Sequence, residues 1–201
     1  LTGEEEDIIP EAGHMSSTVE KLNIQAKYDV CVIDECQMIG DSQRGFAWTR
    51  AILGVLAEEI HLCTAPEALD LLKQIIEECG ETYKVVEHTR NTELIYVSEK
   101  YDIGKNVEQG DALVVFSKKS VLSIACELFG RGVMASVIYG ALPYNTRKRQ
   151  LERFINGDTT VVVATDAIGM GLNLPIRRII FMEDEKFDGT EVRRLQQNEV
   201  K

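Results

Sequence analysis

Two adjacent acids, Asp34 and Glu35, follow directly on the apolar run Val30-Cys31-Val32-Ile33. A short β-branched run of this kind has the composition of a strand buried on both faces of a parallel sheet. Carboxylates at the carboxyl end of such a strand stand where open α/β sheets hold ligands, in the crevice beyond the strand tips. There the first acid can hold Mg²⁺ through water, and the second can orient or deprotonate an attacking water. That is the chemistry of nucleoside triphosphate hydrolysis. The same pair also arises where a strand simply meets solvent in a helix-capping turn, so these residues alone leave both readings open.

The elements that must position the pair come in β-α order. Ahead of it, residues 1–27 hold an acidic stretch, Glu4-Glu5-Glu6-Asp7, and a helix-capping start at Ser17 or Thr18. After it, apolar positions at helical spacing predict a surface helix over 46–58, and Trp48 falls on its core-facing side. A strand over 59–63 follows, then the turn Thr64-Ala65-Pro66, a helix over 66–79 closed by Gly80, and a strand over 83–87. Residues 89–110 loosen into a polar connection, with a short strand at 94–97.

A second series then begins. Strands are predicted over 112–116, 135–139, 160–164 and 178–182, with helices from Ser117 to Gly130 and over 146–155. Alternation of this kind implies parallel sheets with right-handed crossovers, an α/β fold in two halves, 1–88 and 111–201. In the second half, the loop 165–174 carries Thr165, Gly169, Gly171 and Asn173. Its glycines let backbone approach a ligand closely, and Asn173 adds hydrogen-bonding capacity. A Gly-x-Gly turn by itself is weakly specific. The run Arg147-Lys148-Arg149 is read first as a solvated helix face and second as a contact for nucleic acid.

Composition bounds the rest. A net charge of −11 argues against a broad basic face, although a nucleic-acid backbone can be gripped locally by amides, hydroxyls and a few cations. Five cysteines with no Cys-x-x-Cys pair, and three histidines without ligand spacing, make zinc a poor fit. They read instead as reduced, buried thiols in a reducing compartment. The expected compartment is a bacterial cytoplasm in preference to a mitochondrial matrix. No apolar run reaches membrane-spanning length, so the chain is read as soluble with no membrane partner.

Asp34-Glu35-Cys36-Gln37 resembles motif II of the superfamily-2 helicases, in the DExH-box branch with Gln in the fourth place. The continuation through Gly40-Asp41, Arg44-Gly45 and Ala47-Trp48-Thr49-Arg50 resembles the ATP-dependent RNA helicases of the mitochondrial degradosome and their bacterial relatives. The resemblance covers nearly the whole chain. It implies two RecA-like lobes, ATP with Mg²⁺ as cofactors, RNA as partner and, through the degradosome, an exoribonuclease. Asp34, Glu35 and Gln37 become the catalytic group, with Asp34 holding Mg²⁺ through water.

Gly169, Gly171 and Asn173 match motif V and would face the nucleotide, although the superfamily more often carries Asp where Asn173 stands. RNA phosphates would meet Thr2, Gly3, Ser17 and Thr18 in the first half, and Ser117, Lys118, Gly140 and Thr165 in the second. Thr64 would couple hydrolysis to RNA. The phosphate-cradling Gly-Lys-Ser or Gly-Lys-Thr loop of this class is not present, nor is the Gln-x-x-Gly-Arg-x-Gly-Arg segment. The resemblance places the first upstream of Leu1 and the second beyond Lys201, so the isolated chain is expected to be inactive. The rival readings are a two-lobed scaffold that binds RNA or protein without catalysis, and a DNA helicase.

Overall fold

In a computed structural model of the chain, residues 9, 11–89, 92–169, 172–187, 189–196 and 200 are described. The expected contacts at Thr2, Gly3 and Gly171 lie outside them. The chain divides into two compact units, Leu1–Glu93 and Leu94–Lys201.

In the first unit, β1 (Lys27–Ile33) and β2 (Leu56–Leu62) pair in parallel, with Ile33 opposite Leu62. Their crossover contains a 3-10 turn, Cys36–Gly40, and the helix α1 (Gly45–Gly54). A second 3-10 turn, Pro66–Ala68, leads into α2 (Leu69–Glu78), and Gly80 ends that segment in a left-handed conformation, φ 75°. The core is Ile33, Cys36, Ala47, Trp48, Ala51, Val55 and Leu72.

The structure departs from four of these expectations. β1 is not buried on both faces: Val30 and Val32 are 53% and 62% exposed. Alternate strand residues face opposite ways, and among the described residues the helix-covered core takes only the side carrying Cys31 and Ile33. The helix α1 ends at Gly54 rather than 58, because Gly54 is a poor helix former and Val55 turns extended. Residues 56–58 then join the ladder, Leu56 opposite Lys27. The strands expected at 83–87 and 94–97 do not form. Their composition has strand propensity, but no partner strand receives them among the described residues, and Ile95 and Tyr96 are left 77% and 88% exposed.

The second unit holds a four-stranded parallel sheet in the order β4-β5-β3-β6. Its strands are β3 (Asp111–Val114), β4 (Ala135–Ile138), β5 (Val161–Ala164) and β6 (Arg178–Phe181). The helix α3 (Lys118–Gly130) follows β3, and α4 (Tyr144–Ile155) follows β4. β3 and β5 are buried at every position, so two-sided burial appears here rather than in β1. One face packs Leu113, Val161 and Val163 against Val121 and Leu128 of α3. The other packs Ala112, Val162 and Ala164 against Phe154 of α4. The connection is not all loose, since Tyr101, Ile103 and Val107 pack on the first of these faces.

β3 leads across β5 to β4, whereas β5 leads across β3 to β6, so the connections leave in opposite directions. The carboxyl ends of β3 and β5 therefore flank a topological switch point, where open sheets bind ligands. A short antiparallel hairpin, β7 (Glu185–Phe187) with β8 (Val192–Arg194), was not foreseen from the sequence pattern.

Candidate active site

The acid pair of the first unit sits on a turn held from several sides. The ladder continues past β1 and β2, with Cys63 N–H donating to the Ile33 carbonyl at 2.9 Å and Cys36 N–H to the Cys63 carbonyl at 2.9 Å. Between those anchors Glu35 adopts φ 54°, ψ 41°, the one positive φ of a non-glycine residue among those described. A left-handed backbone at a residue with a Cβ costs of order 1–3 kcal/mol, and it persists only where the surroundings over-determine it. Asp34 Oδ1 accepts the Glu35 N–H at 2.9 Å, and the Asp34 carbonyl accepts the Trp48 indole N–H at 2.9 Å. The Cys36 thiol donates to the Ile33 carbonyl at 3.1 Å. Burial, with the nearby Cys63 and Asp34, pushes that thiol up to about 12, so it remains a protonated donor.

Gln37 joins two turns. Its amide nitrogen donates to Glu35 Oε2, and its Oε1 accepts the Ala65 N–H at 3.1 Å. The Thr64 hydroxyl donates within its own turn, to the Ala65 carbonyl at 3.1 Å. Beside the backbone bond from Cys36 to Cys63, the Gln37 side chain thus links the acid turn to the turn after β2.

Asp34 and Glu35 are exposed and form no ion pair among the described residues. No group of three or more His, Cys, Asp or Glu side chains there is arranged to hold a metal by itself. One exposed carboxylate with a spare oxygen fits a magnesium ion held through water, with phosphate oxygens completing its shell, because Mg²⁺ keeps several waters and takes one or two carboxylates.

The helix beneath this turn is fixed by close packing. A Cβ on Gly45 would stand 2.3 Å from the Ile39 carbonyl oxygen, so only glycine lets α1 start so near the 3-10 turn. Asp41 Oδ1 accepts from the Gln43 and Arg44 amides at 2.9 and 2.7 Å, and these bonds hold its carboxyl below the usual range. Ser17 and Thr18 precede only a three-residue 3-10 turn, Val19–Lys21, without a side-chain cap, which corrects the expected helix start. The reason is length: Leu22 already leaves helical geometry, at ψ 124°.

In the second unit the expected RNA-facing hydroxyls cap their own turns. Ser117 Oγ accepts the Ser120 N–H at 3.0 Å as the N-cap of α3, and Thr165 Oγ1 accepts the Ala167 N–H at 3.3 Å. The Thr165 hydroxyl hydrogen can still be donated to an anion, and so can that of Ser117 when Ser120 Oγ, 2.8 Å away, is the donor of their shared bond. Lys118 Nζ lies 5.2 Å from the centre of the Tyr139 ring, next to the exposed Gly140. Arg147 does not point to solvent as a basic patch would. It donates to the Gly140 and Leu142 carbonyls at 3.0 and 3.3 Å and shapes that turn. Gly169 closes the 3-10 turn Asp166–Ile168 by donating to the Asp166 carbonyl at 2.9 Å, and Asn173 is exposed.

Some residues of consequence had no sequence signal. Glu183, at the end of β6, accepts the Phe116 N–H at 2.9 Å and so fixes the switch-point turn. At the opposite end of the sheet, Arg178 donates through Nε and Nη2 to the two Asp111 oxygens, both at 2.7 Å. Tyr101 and the Glu108 amide add bonds at 3.2 and 2.8 Å. Burial would raise the Asp111 carboxyl, but Arg178 and the Glu108 amide outweigh it and hold it low. The cysteine expectation holds only for Cys36: Cys31 is half-buried, and Cys63, Cys79 and Cys126 are exposed.

Comparison with known proteins agrees with this architecture. The DEXQ-box helicase domain of Suv3 matches residues 1–88, and the helicase conserved C-terminal domain matches residues 90–198. The mitochondrial ATP-dependent RNA helicase SUV3 homolog of Caenorhabditis elegans is 46% identical over 90% of this chain and 26% of its own. SUV3 of Saccharomyces cerevisiae, also mitochondrial, is 40% identical over 100% of this chain and 28% of its own. The mitochondrial DExH16 helicase of Arabidopsis thaliana is 41% identical over 100% of this chain and 36% of its own.

The chain thus spans about a quarter to a third of these relatives. Among solved structures, Saccharomyces cerevisiae Dbp5 bound to RNA and ADP BeF3 aligns with TM-score 0.54 at 14% identity, over 77% of this chain and 44% of that one. That likeness shows a RecA-like fold. The relatives correct the expected compartment, because all three are named as mitochondrial, which points to a mitochondrion rather than a bacterial cytoplasm. Among the described residues no helix is long and apolar enough to cross a membrane. The chain belongs to the superfamily-2 helicases of Suv3 type, carrying DEXQ-box sequence of one RecA-like domain followed by the helicase conserved C-terminal domain.

Proposed function

We propose that the complete protein is an ATP-dependent RNA helicase that couples ATP hydrolysis to translocation on RNA and to strand separation. The observation that carries this is the exposed Asp34-Glu35 pair on a strained, multiply anchored turn at the carboxyl end of a parallel strand. In this reading Asp34 holds Mg²⁺ through water, and the ion supplies charge neutralisation at the phosphates. Glu35 orients the attacking water and takes its proton, while Gln37 keeps the Glu35 carboxylate aimed. Gly169, Gly171 and Asn173 meet the nucleotide.

Thr2, Gly3, Ser17, Thr18, Ser117, Lys118, Gly140 and Thr165 meet RNA phosphates, which gives little base-sequence preference because amides, hydroxyls and cations read backbone. Thr64 takes part in coupling through the turn that Gln37 binds. The degradosome resemblance supports an exoribonuclease as a partner. This chain, which has no Gly-Lys-Ser or Gly-Lys-Thr loop, does not turn over ATP by itself.

ATP turnover by the complete protein, measured with single-stranded RNA and with single-stranded DNA of the same sequence, tests the substrate. RNA is expected to give the larger stimulation. Equal or greater stimulation by DNA favours the DNA-helicase reading, and no stimulation by either favours a non-catalytic scaffold.

A further inference from the structure

A run of side-chain contacts joins Glu20, two residues after Thr18, to the acid turn. Thr18 immediately precedes the Val19–Lys21 turn that carries Glu20. Glu20 Oε1 accepts from Arg44 Nε and Nη2 at 3.1 and 2.8 Å. The Arg44 guanidinium carbon lies 5.2 Å from the centre of the Trp48 ring, and the Trp48 indole N–H reaches the Asp34 carbonyl. Arg50 of α1 bonds the Leu22 carbonyl at 2.9 Å, so the helix and its N-cap Arg44 together hold the middle and the carboxyl end of the Val19–Lys21 turn.

We propose that Arg44 and Trp48 are positioning residues through which RNA backbone at the Ser17-Thr18 segment alters hydrolysis at the Asp34-Glu35 turn. The inference rests on the function proposed above. The Glu20 and Arg44 side chains are 37% and 50% exposed, and ion pairs of that kind contribute little to folding. Stability alone therefore gives little account of why the run is complete. A phosphate at the Ser17-Thr18 segment brings negative charge beside Glu20 and competes with its carboxylate for Arg44, which then shifts over the Trp48 ring. The indole holds the carbonyl next to Glu35, so a shift of the ring re-aims that residue's carboxylate. Coupling of this kind is reciprocal, so nucleotide at the turn also changes affinity for RNA.

The test is basal and RNA-stimulated ATP turnover of the complete protein carrying Arg44→Gln, Arg44→Lys, Trp48→Phe, or Arg44→Gln with Trp48→Phe. Glu35→Gln is the control. Arg44→Gln and Trp48→Phe are each expected to lower the stimulation ratio by roughly three- to thirtyfold with KM for ATP unchanged. Arg44→Lys, which keeps a cation over the ring and beside Glu20, restores most of the ratio. The double variant falls no further than the weaker-stimulated single variant, since both break one path. A wild-type ratio in both single variants, losses that multiply in the double variant, or losses that Lys does not relieve overturn the proposal. Hydrolysis that survives Glu35→Gln instead removes the functional reading, so the two failures are distinguishable.

Discussion

Asp34 and Asp111 are both aspartates at strand ends, and they are treated in opposite ways. Asp111, at the amino end of β3, is buried and wrapped by Arg178, Tyr101 and the Glu108 amide, so its charge is consumed inside the fold. Asp34, just past the carboxyl end of β1, is exposed and has no cation among the described residues. Its own anchors act on backbone, through the Trp48 indole on its carbonyl. Arg178 and the Glu108 amide hold the Asp111 carboxyl low in a structural role, in keeping with the rule that ion-pair networks shift pKa values without marking a catalytic site. What marks the candidate site is charge left unsatisfied on a backbone that is held rigidly.

Exchanging the two roles separates chemistry from folding. Asp34→Ala in the complete protein is expected to cut RNA-stimulated hydrolysis by roughly 10²- to 10³-fold, with the urea midpoint nearly unchanged. Asp111→Ala should do the reverse. Loss of a buried partner destabilises the second unit by about 2–4 kcal/mol, below the full range for buried pairs because Arg178 is 40% exposed. Chemical denaturation followed by circular dichroism measures it, and nucleotide hydrolysis at temperatures where the variant stays folded should be close to wild type.

The contrast extends to pH. Because the folded Asp111 carboxyl is held low, its stabilisation is fully present above the unfolded value of about 4 and is lost as pH falls through the depressed folded value. Melting of wild type and Asp111→Asn between pH 5 and about 2 should therefore converge toward the acid end. A gap that stays constant would remove Arg178 as the cause. The smallest effect concerns strain: Glu35→Gly relieves the left-handed backbone and should stabilise the first unit by about 1 kcal/mol while eliminating hydrolysis. Unchanged or lower stability would mean that the turn stores no strain.

The order of elements in the second half was legible because β3 and β5 are continuous apolar runs bounded by helix starts such as Ser117. The acid pair and Gln37 were legible through local spacing. Burial of β1 was not, since Val30 and Val32 have the same composition whether or not anything covers them. The strands expected at 83–87 and 94–97 failed for a related reason, as propensity does not supply a partner. The contacts that hold the site are also invisible in sequence. Trp48 reads as a core residue and is one, but its hydrogen bond to Asp34 spans fourteen positions, and Glu183 reaches Phe116 across sixty-seven. Arg147 looked like part of a solvated basic face until the turn carbonyls of Gly140 and Leu142 claimed it.

The central claim is that the turn after β1 carries the hydrolytic acids of an RNA helicase. Glu35→Gln in the complete protein tests it most directly, with ATP affinity and RNA-stimulated turnover measured on the same preparation. The account predicts affinity within a few-fold of wild type and turnover lower by roughly 10²- to 10⁴-fold. Turnover at the wild-type rate would contradict it.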